Sequence, residues 1–312
     1  MDCLDGISII VPMKNEVKHI EKCLLSVIKS AVISGRKFEV IVVDNDSVDG
    51  SSQVARRLDV SLLETDAKSP GAVRNYGASV AQYSILAFID ADIEVPRNWL
   101  TCLFNYYEKD QDIGALGGPC LAPRNASWLV CSLYPTQLKD KISENAKLPG
   151  ANFTVRKTIF ENLGGFNQDL ISAEDDDLSL RILTSGSSCI SDTHLAVIHH
   201  GYPNTLNGIF KRQVWHGSTQ IKAHGYFTDK MTIATYLFMF CNLMLLLASL
   251  LPTSMFLLAF ITEFCLLTVV GFNFQKNKKS FSFKELFQSI FISFFFLLGR
   301  GIGLIKELLI KF

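Results

Sequence analysis

The chain lacks any excess of charge: 30 basic side chains offset 30 acidic ones, and no basic stripe with interleaved aromatics appears. A nucleic-acid backbone would find little to bind, so nucleic acid is not expected as a partner. Close cysteine pairs are also missing. The eight cysteines (3, 23, 102, 120, 131, 189, 241 and 265) show no CxxC or other ligand spacing. They read as small buried apolar residues in a reducing compartment. Met1 to Gly6 carries neither a basic flank nor a long apolar run, so no signal peptide is expected and the soluble part should stay in the cytoplasm. On that topology Asn125-Ala-Ser and Asn152-Phe-Thr are chance matches to a glycosylation sequon.

What the chain has in quantity is unevenly placed. Its 312 residues suffice for one substantial catalytic domain plus an appendage, and its 23 phenylalanines crowd the end. Residues 1–230 read as a soluble domain and residues 231–312 as a membrane region of two or three helices. Met231–Leu251 and Ser254–Phe274 are each about as long as a bilayer core requires and meet at Leu251-Pro252-Thr253, which predicts a hairpin crossing twice. The basic linker Gln275–Lys279 places their far end in the cytoplasm under the positive-inside rule. Leu286–Leu298 reads as a third crossing, a re-entrant segment or a surface helix. Thr205–His224, with Lys211, Arg212, Trp215, His216 and Lys222, suits an amphipathic helix at the bilayer surface. Glu263, inside an apolar run, is expensive in lipid unless it is neutralised, packs on a partner helix or meets a lipid-linked headgroup.

Residues 1–200 alternate in period. Gly6–Val11 reads as a buried strand halted by Pro12, followed by a helix with Ile20, Leu24, Val27 and Ile28 on one face. Phe38–Val43, Val60–Leu63 and Ser84–Ile89 are further strands. Short helices begin at Asp49-Gly50, Pro70 and Pro96. Past Ile113 the alternation fades, with strand-like Ile113–Leu116 and Ala151–Val155 around a long variable stretch. Leu163-Gly-Gly-Phe166 reads as a tight turn, Asp177–Leu183 as a helix and Ser188–His200 as a final extended segment. Such alternation predicts an α/β fold, a mostly parallel sheet covered by helices. Ligands of such sheets collect beyond the carboxyl ends of the strands. The polar residues sit there: Asn15 and Glu16, Asp44 to Asp49, and Asp90 with Asp92.

Asp90-Ala91-Asp92 spaces two carboxylates on one side of an extended backbone, where both could reach a Mg²⁺ or Mn²⁺ ion; acids after a strand are also common in loops. Asp44 suits a base or ribose contact, while Asp46, Ser47 and Asp49-Gly50 suit a helix cap and a turn. Glu174, Asp175, Asp176 and Asp177 open a helix. The helix dipole accounts for one or two of these acids, Arg181 pairs with Asp177, and a remaining carboxylate is free to act as a general base. Arg74-Asn75 faces either the phosphate side of the sheet or solvent. Of His199 and His200 at most one enters the site, as a metal ligand or in a structural role.

In this order the motifs resemble the family 2 glycosyltransferases of GT-A fold. Val11-Pro-Met-Lys-Asn-Glu16, Val43–Ser51, Gly71–Gly77, Asp90-Ala-Asp92 and Leu163–Phe166 followed by Glu174–Leu178 carry the resemblance over residues 7–200. It implies an enzyme that uses a nucleotide-sugar donor. Pro12, Asn15, Glu16, Asp44, Asp46, Arg74, Asn75, Asp90 and Ala91 would bind the donor. Asp90, Asp92 and His200, or else His199, would hold Mg²⁺ or Mn²⁺. Asp175 would be the catalytic base, with Glu174 and Trp215 beside it on the acceptor side. The expected reaction is inverting transfer to a lipid-linked or glycan hydroxyl at the cytoplasmic face of a cell inner membrane, with membrane lipids as partners. Polyprenyl-phosphate sugar synthesis and an inactive membrane scaffold are the alternatives. Lys211-Arg-Gln-Val-Trp215 departs from the Gln-Arg-x-x-Trp type motif of processive synthases, which argues against processive synthesis.

Overall fold

The computed structural model describes residues 4–225, 229–247, 252–280 and 282–310. The chain divides into two compact units. One runs to Pro123 and resumes over Asp140–Gly201; the other takes Arg124–Lys139 and the chain from Tyr202 onward.

In the first unit the elements alternate as their apolar periods require. They begin β1 (Ile7–Met13), α1 (Ile20–Ser34), β2 (Phe38–Asn45), α2 (Ser51–Ala55), β3 (Ser61–Thr65) and α3 (Pro70–Ser79). Next come β4 (Ile85–Ile89), β5 (Ile93–Glu94), α4 (Trp99–Lys109), β6 (Ile113–Gly117) and β7 (Cys120–Leu121). After helix α5 (Trp128–Leu133), which belongs to the second unit, follow β8 (Ile142–Ser143), β9 (Asn152–Arg156), α6 (Lys157–Asn162) and α7 (Glu174–Thr184). β10 (Ser188–Asp192) and β11 (Val197–His199) complete it.

The main sheet has the order β3-β2-β1-β4-β9-β6-β10-β8. Its first four strands are parallel, β9 runs antiparallel to β4 and β6, and β10 is parallel to β6. Ile9, Ile10 and Val11 are fully buried because both faces of the sheet are covered. One face packs on Leu24 and Val27 of α1 and Trp99 of α4; the other meets Val73 of α3 and Leu178 and Ile182 of α7. This is a mixed, mostly parallel GT-A-like sheet. The loops after β1, β2 and β4 therefore emerge along one edge and bring the acidic motifs to it.

Two local expectations change. β1 does not stop at Pro12 but runs through it to Met13, paired with β2 throughout. Its pairing to β4 ends at Ile10↔Phe88, so on that side the strand is already an edge and tolerates a missing N–H. Ser188–His200 is not one extended segment. Asp192 accepts the His194 N–H at 2.9 Å and caps a single 3₁₀ turn, Thr193–Leu195. The chain is thereby re-aimed, and β11 joins a second sheet, β5-β11-β7.

The second unit adds α8 (Leu206–Gly217), α9 (Gln220–His224), α10 (Lys230–Leu246), α11 (Thr253–Gln275) and α12 (Phe283–Ile310) to α5. Its core includes Leu129, Ile209, Phe238, Val270, Ile292 and Leu297. The single helix expected over 205–224 is two. Ser218 turns its N–H and hydroxyl back onto the Trp215 carbonyl, at 3.2 and 2.6 Å, and ends α8. The Glu307 carboxylate then accepts the N–H groups of Ile221 and Lys222 at 2.8 and 2.7 Å, which starts α9.

α11 and α12 are long and apolar enough to cross a membrane, whereas α10 is a shorter apolar helix of 17 residues. Residues 248–251 of the expected first crossing lie outside the described residues. The expected third segment, Leu286–Leu298, is part of the 28-residue α12. α11 leaves Leu258, Phe260, Ile261 and Phe264 exposed, a surface suited to acyl chains. Glu263 meets a neighbouring helix: it accepts from Asn242 Nδ2 of α10 at 3.2 Å.

Candidate active site

The loops after β1 and β2 are sewn together. The Asn15 N–H donates to Ser47 Oγ and the Val48 N–H to Asn15 Oδ1, both at 2.9 Å. The Glu16 N–H donates to Ser51 Oγ at 2.7 Å and the Val17 N–H to Asp49 Oδ2 at 3.0 Å. Asn15 and Asp46 both take left-handed backbone, φ 56°, which short polar side chains tolerate better than most. Asp44, next to last in β2, is almost fully buried. It accepts the Ser47 N–H at 3.1 Å and the Ser52 hydroxyl. Asp44, Asp46, Ser52, Arg56, Glu64 and Asp66 line an open cleft of about 510 Å³ at this corner.

Arg74 of α3 ties two distant acids together. Its Nη2 donates to Asp90 Oδ1 at 2.7 Å and its Nη1 to Glu174 Oε1 at 2.6 Å. The guanidinium also stacks over Phe166 at 5.6 Å, and its side chain is only 5% exposed. Burial opposes its charge, but Asp90, Glu174 and Asp175 outweigh burial and push its pKa up. Among the described residues, Arg74 Nε is buried with no hydrogen-bond partner. This one side chain joins the Asp90 motif to the acidic start of α7.

Asp175 follows Glu174 on α7. It accepts the Gly150 N–H at 2.6 Å and the Asp176 N–H at 2.9 Å. Burial, and then the charges of Glu174 and Asp176, push its carboxyl up to about 7, against the opposing pull of the Gly150 N–H and Arg74. A carboxyl so poised is well matched to proton abstraction near neutral pH. Ala173, just ahead of α7, takes left-handed backbone, φ 63°, and among the described residues it supplies no side-chain cap.

Asp92 lies on the other side of Asp90. Its Oδ2 is 3.7 Å from His199 Nε2, and its carbonyl accepts the His200 N–H at 2.9 Å. The adjacent histidines separate as strand geometry demands: His199 is buried toward Asp92, and His200 Nε2 lies 3.0 Å from Glu94 Oε2. Lys22 completes that pair at 2.9 Å from Glu94. Burial, and then Asp92, Asp90 and Asp49, raise Glu16 to about 7, the mark of an acidic pocket short of positive charge.

These residues fit a hard divalent cation in donor type and charge, with carboxylate oxygens of Asp90 and Asp92 on offer and excess negative potential at Glu16. Among the described residues, no three His, Cys, Asp or Glu side chains form a group able to hold a metal by themselves. The protein side would therefore give one or two oxygens, as is usual where phosphate and water complete the shell.

The remaining candidates are placed as follows. Asn75 binds the turn after α6: its Nδ2 donates to the Phe166 carbonyl at 2.8 Å and its Oδ1 accepts the Phe166 N–H at 2.9 Å. Pro12 sits in β1 opposite Val43, and Ala91 is buried between Asp90 and Asp92. Trp215 is on α8, in the second unit, edge-on to His216 at 4.8 Å.

Two glycines escaped the sequence reading. A Cβ on Gly201 would run into the Asp92 carboxylate, and one on Gly150 would crowd Arg74 Nη2 at 3.2 Å and Asp175 Cβ at 3.3 Å. Pro149-Gly150 is readable as a turn pair, but nothing local connects it to a carboxylate 25 residues on.

Residues 8–128 match the model of glycosyl transferase family 2. The chain is 28% identical to glycosyltransferase AglE of Haloferax volcanii over 229 residues, 70% of this chain and 74% of that one. It is 24% identical to the pre-mycofactocin glycosyltransferase of Mycobacterium tuberculosis over 233 residues, 68% of this chain but only 46% of that protein. In fold it is similar to the mannosyltransferase PcManGT from Pyrobaculum calidifontis, solved with GDP-Man and Mn²⁺. The TM-score is 0.62 and the identity 19%, covering 98% of this chain and 88% of the other. Residues 8–128 thus match a family 2 glycosyltransferase domain, set in a GT-A-like fold that is followed, among the described residues, by two apolar helices long enough to span a membrane.

Proposed function

We propose that the chain transfers a sugar from a nucleotide-diphosphate sugar to the hydroxyl of a lipid-linked or glycan acceptor, inverting the anomeric carbon, at the cytoplasmic face of a membrane. The observation that carries this reading is Asp175, a carboxyl poised near 7 beside the Arg74–Asp90–Glu174 bridge. The open cleft at Asp44 and Asp46 supports a nucleotide there, since its carboxylates can accept from base or ribose.

Mg²⁺ or Mn²⁺ held by Asp90 and Asp92, with His199 behind Asp92, would supply positive charge to the diphosphate. Asp175 takes the proton of the acceptor hydroxyl as that oxygen bonds to the anomeric carbon. The bond from that carbon to the diphosphate oxygen breaks on the opposite face, and its electron pair leaves with the nucleotide diphosphate. A single displacement inverts the centre. Arg74 fixes Glu174 and Asp90, which keeps the acidic turn of α7 in register with the donor loop. Glu16, raised to about 7, would regain its charge as a cation enters. A polyprenyl phosphate would arrive already ionised and needs no base, so a base tuned to neutrality favours a hydroxyl acceptor.

The test is a screen of the full chain in lipid vesicles with UDP-, GDP- and dTDP-sugars plus Mn²⁺. Transfer from one nucleotide class is expected. Asp175→Asn should keep donor binding and lose most transfer; unimpaired transfer by that variant would sink the assignment.

A further inference from the structure

The second unit holds a cavity of about 250 Å³ between the Arg124–Lys139 segment and the turn joining α11 to α12. Nothing in the transfer reaction uses it. Arg124, Lys278 and Lys279 line it, Thr136 and Ser280 add hydroxyls, and among the described residues Glu285 is the one carboxylate of the lining. Glu285 is already engaged: it accepts the Ser282 N–H at 2.7 Å while Ser282 Oγ accepts the Glu285 N–H at 3.3 Å. That reciprocal cap starts α12. Among the described residues, none of the three cations has a carboxylate oxygen within 4.0 Å.

Lys278 is the informative member. Its residue is only 7% exposed, and its ammonium donates to the Cys131 carbonyl. An ammonium offers three donors, so donors remain for a ligand. Burial pushes its pKa down, the sign of a charge held without sufficient compensation. The opposite wall is tied in place, since the Lys139 N–H reaches the Asn277 carbonyl at 3.4 Å and Leu138 bridges to Lys278. The cavity is thus built, not a chance meeting of surface lysines.

We propose that this cavity binds a phosphate group carried on the headgroup of an anionic membrane lipid. Three cations with two hydroxyls match the several acceptor oxygens and the charge of a phosphate. The lipid source follows from position. The turn lies at the ends of two helices long and apolar enough to cross a bilayer, which is the level of the headgroups.

The full chain in a neutral detergent and phosphate-free buffer is titrated calorimetrically with dioctanoyl phosphatidic acid, inorganic phosphate and dioctanoyl phosphatidylcholine. Phosphatidic acid should saturate one site, inorganic phosphate should compete more weakly, and phosphatidylcholine should not compete. Arg124→Ala with Lys279→Ala changes two exposed residues; it should leave the melting temperature unchanged and weaken phosphatidic acid at least about tenfold. Lys278→Met, which removes a buried charge, should raise the lipid-free melting temperature and abolish the gain on adding phosphatidic acid. Equal affinity in the double variant, or displacement by phosphatidylcholine, overturns the phosphate site. Inorganic phosphate binding as tightly as phosphatidic acid overturns the lipid source.

Discussion

Arg74 grips one acid 16 residues onward and another 100 residues onward. Its fork geometry is what allows two partners on two nitrogens; a lysine presents a single point charge on a flexible stem. Arg74→Met should cost about 3–5 kcal/mol, because buried Glu174 loses its partner, and Arg74→Lys should recover only part of it. Urea unfolding of the full chain reads both. Asp175 gives a pH signature. Its folded pKa lies above the unfolded value, so its contribution to stability is complete below about pH 4 and is lost as pH rises through about 7. Asp175→Asn should therefore be more stable than the parent above pH 7, with the gap closing toward pH 4. Transfer by the parent chain should rise with pH through about 7, as a base must lose its proton to act. A parent rate flat between pH 5 and pH 8 would remove Asp175 from that role.

At the scale of elements, Asn75 is the joint between α3 and the Leu163–Phe166 turn. Asn75→Ala leaves the Phe166 N–H and carbonyl without partners and should cost about 1–3 kcal/mol, read as a lowered urea midpoint. Asn75→Asp keeps the acceptor and loses the donor, so it should fall between the two. The strands were legible from their apolar runs, and their carboxyl ends located Asn15, Glu16, Asp44, Asp90 and Asp92 along one edge. The clasp was not legible, because an Arg-Asn pair opening a helix reads alike whether it meets a ligand or a turn. The division of labour between His199 and His200 was legible only as an alternation. Which of them meets Asp92 depends on the 3₁₀ turn at Thr193–Leu195, set by Asp192 side-chain bonds that no periodicity announces. Helix breaks were equally hidden: Glu307 starts α9 from far along the chain.

For the whole molecule, membrane parity is a strong constraint. The turn between α11 and α12 touches the Arg124–Lys139 segment through Asn277 and Lys278. That turn and that segment share one side of the membrane. If α11 crosses, its start at Thr253 lies on the far side, and the chain must cross once before it. Among the described residues α10 is the apolar helix placed to do so; its 17 residues are near the lower bound for a span. With α10 and α11 as the crossing pair, the topology proposed above puts the basic turn Lys276–Lys279 on the cytoplasmic side. A membrane-impermeant maleimide should label Asn277→Cys only in inside-out vesicles and Thr253→Cys only in right-side-out ones. Both labelled from the same side would mean that α11 lies along the surface. The close approach of α8 to α12 belongs to this scale too. Gly217 and Gly303 lie so near that a Cβ on either would strike the other helix, and hydropathy alone does not disclose the contact.

The sixteen-residue excursion Arg124–Lys139 has a consequence for biosynthesis. A ribosome releases it before any of its partners from Tyr202 onward exist, so Leu129 and Leu133 leave the exit tunnel with no surface to cover them. The nascent polypeptide must hold that apolar helix in waiting while the nucleotide-fold half is still being translated. Until those later residues are made, the uncovered helix is a transient site for aggregation. The excursion also means that no single cut in the gene can separate the two halves cleanly.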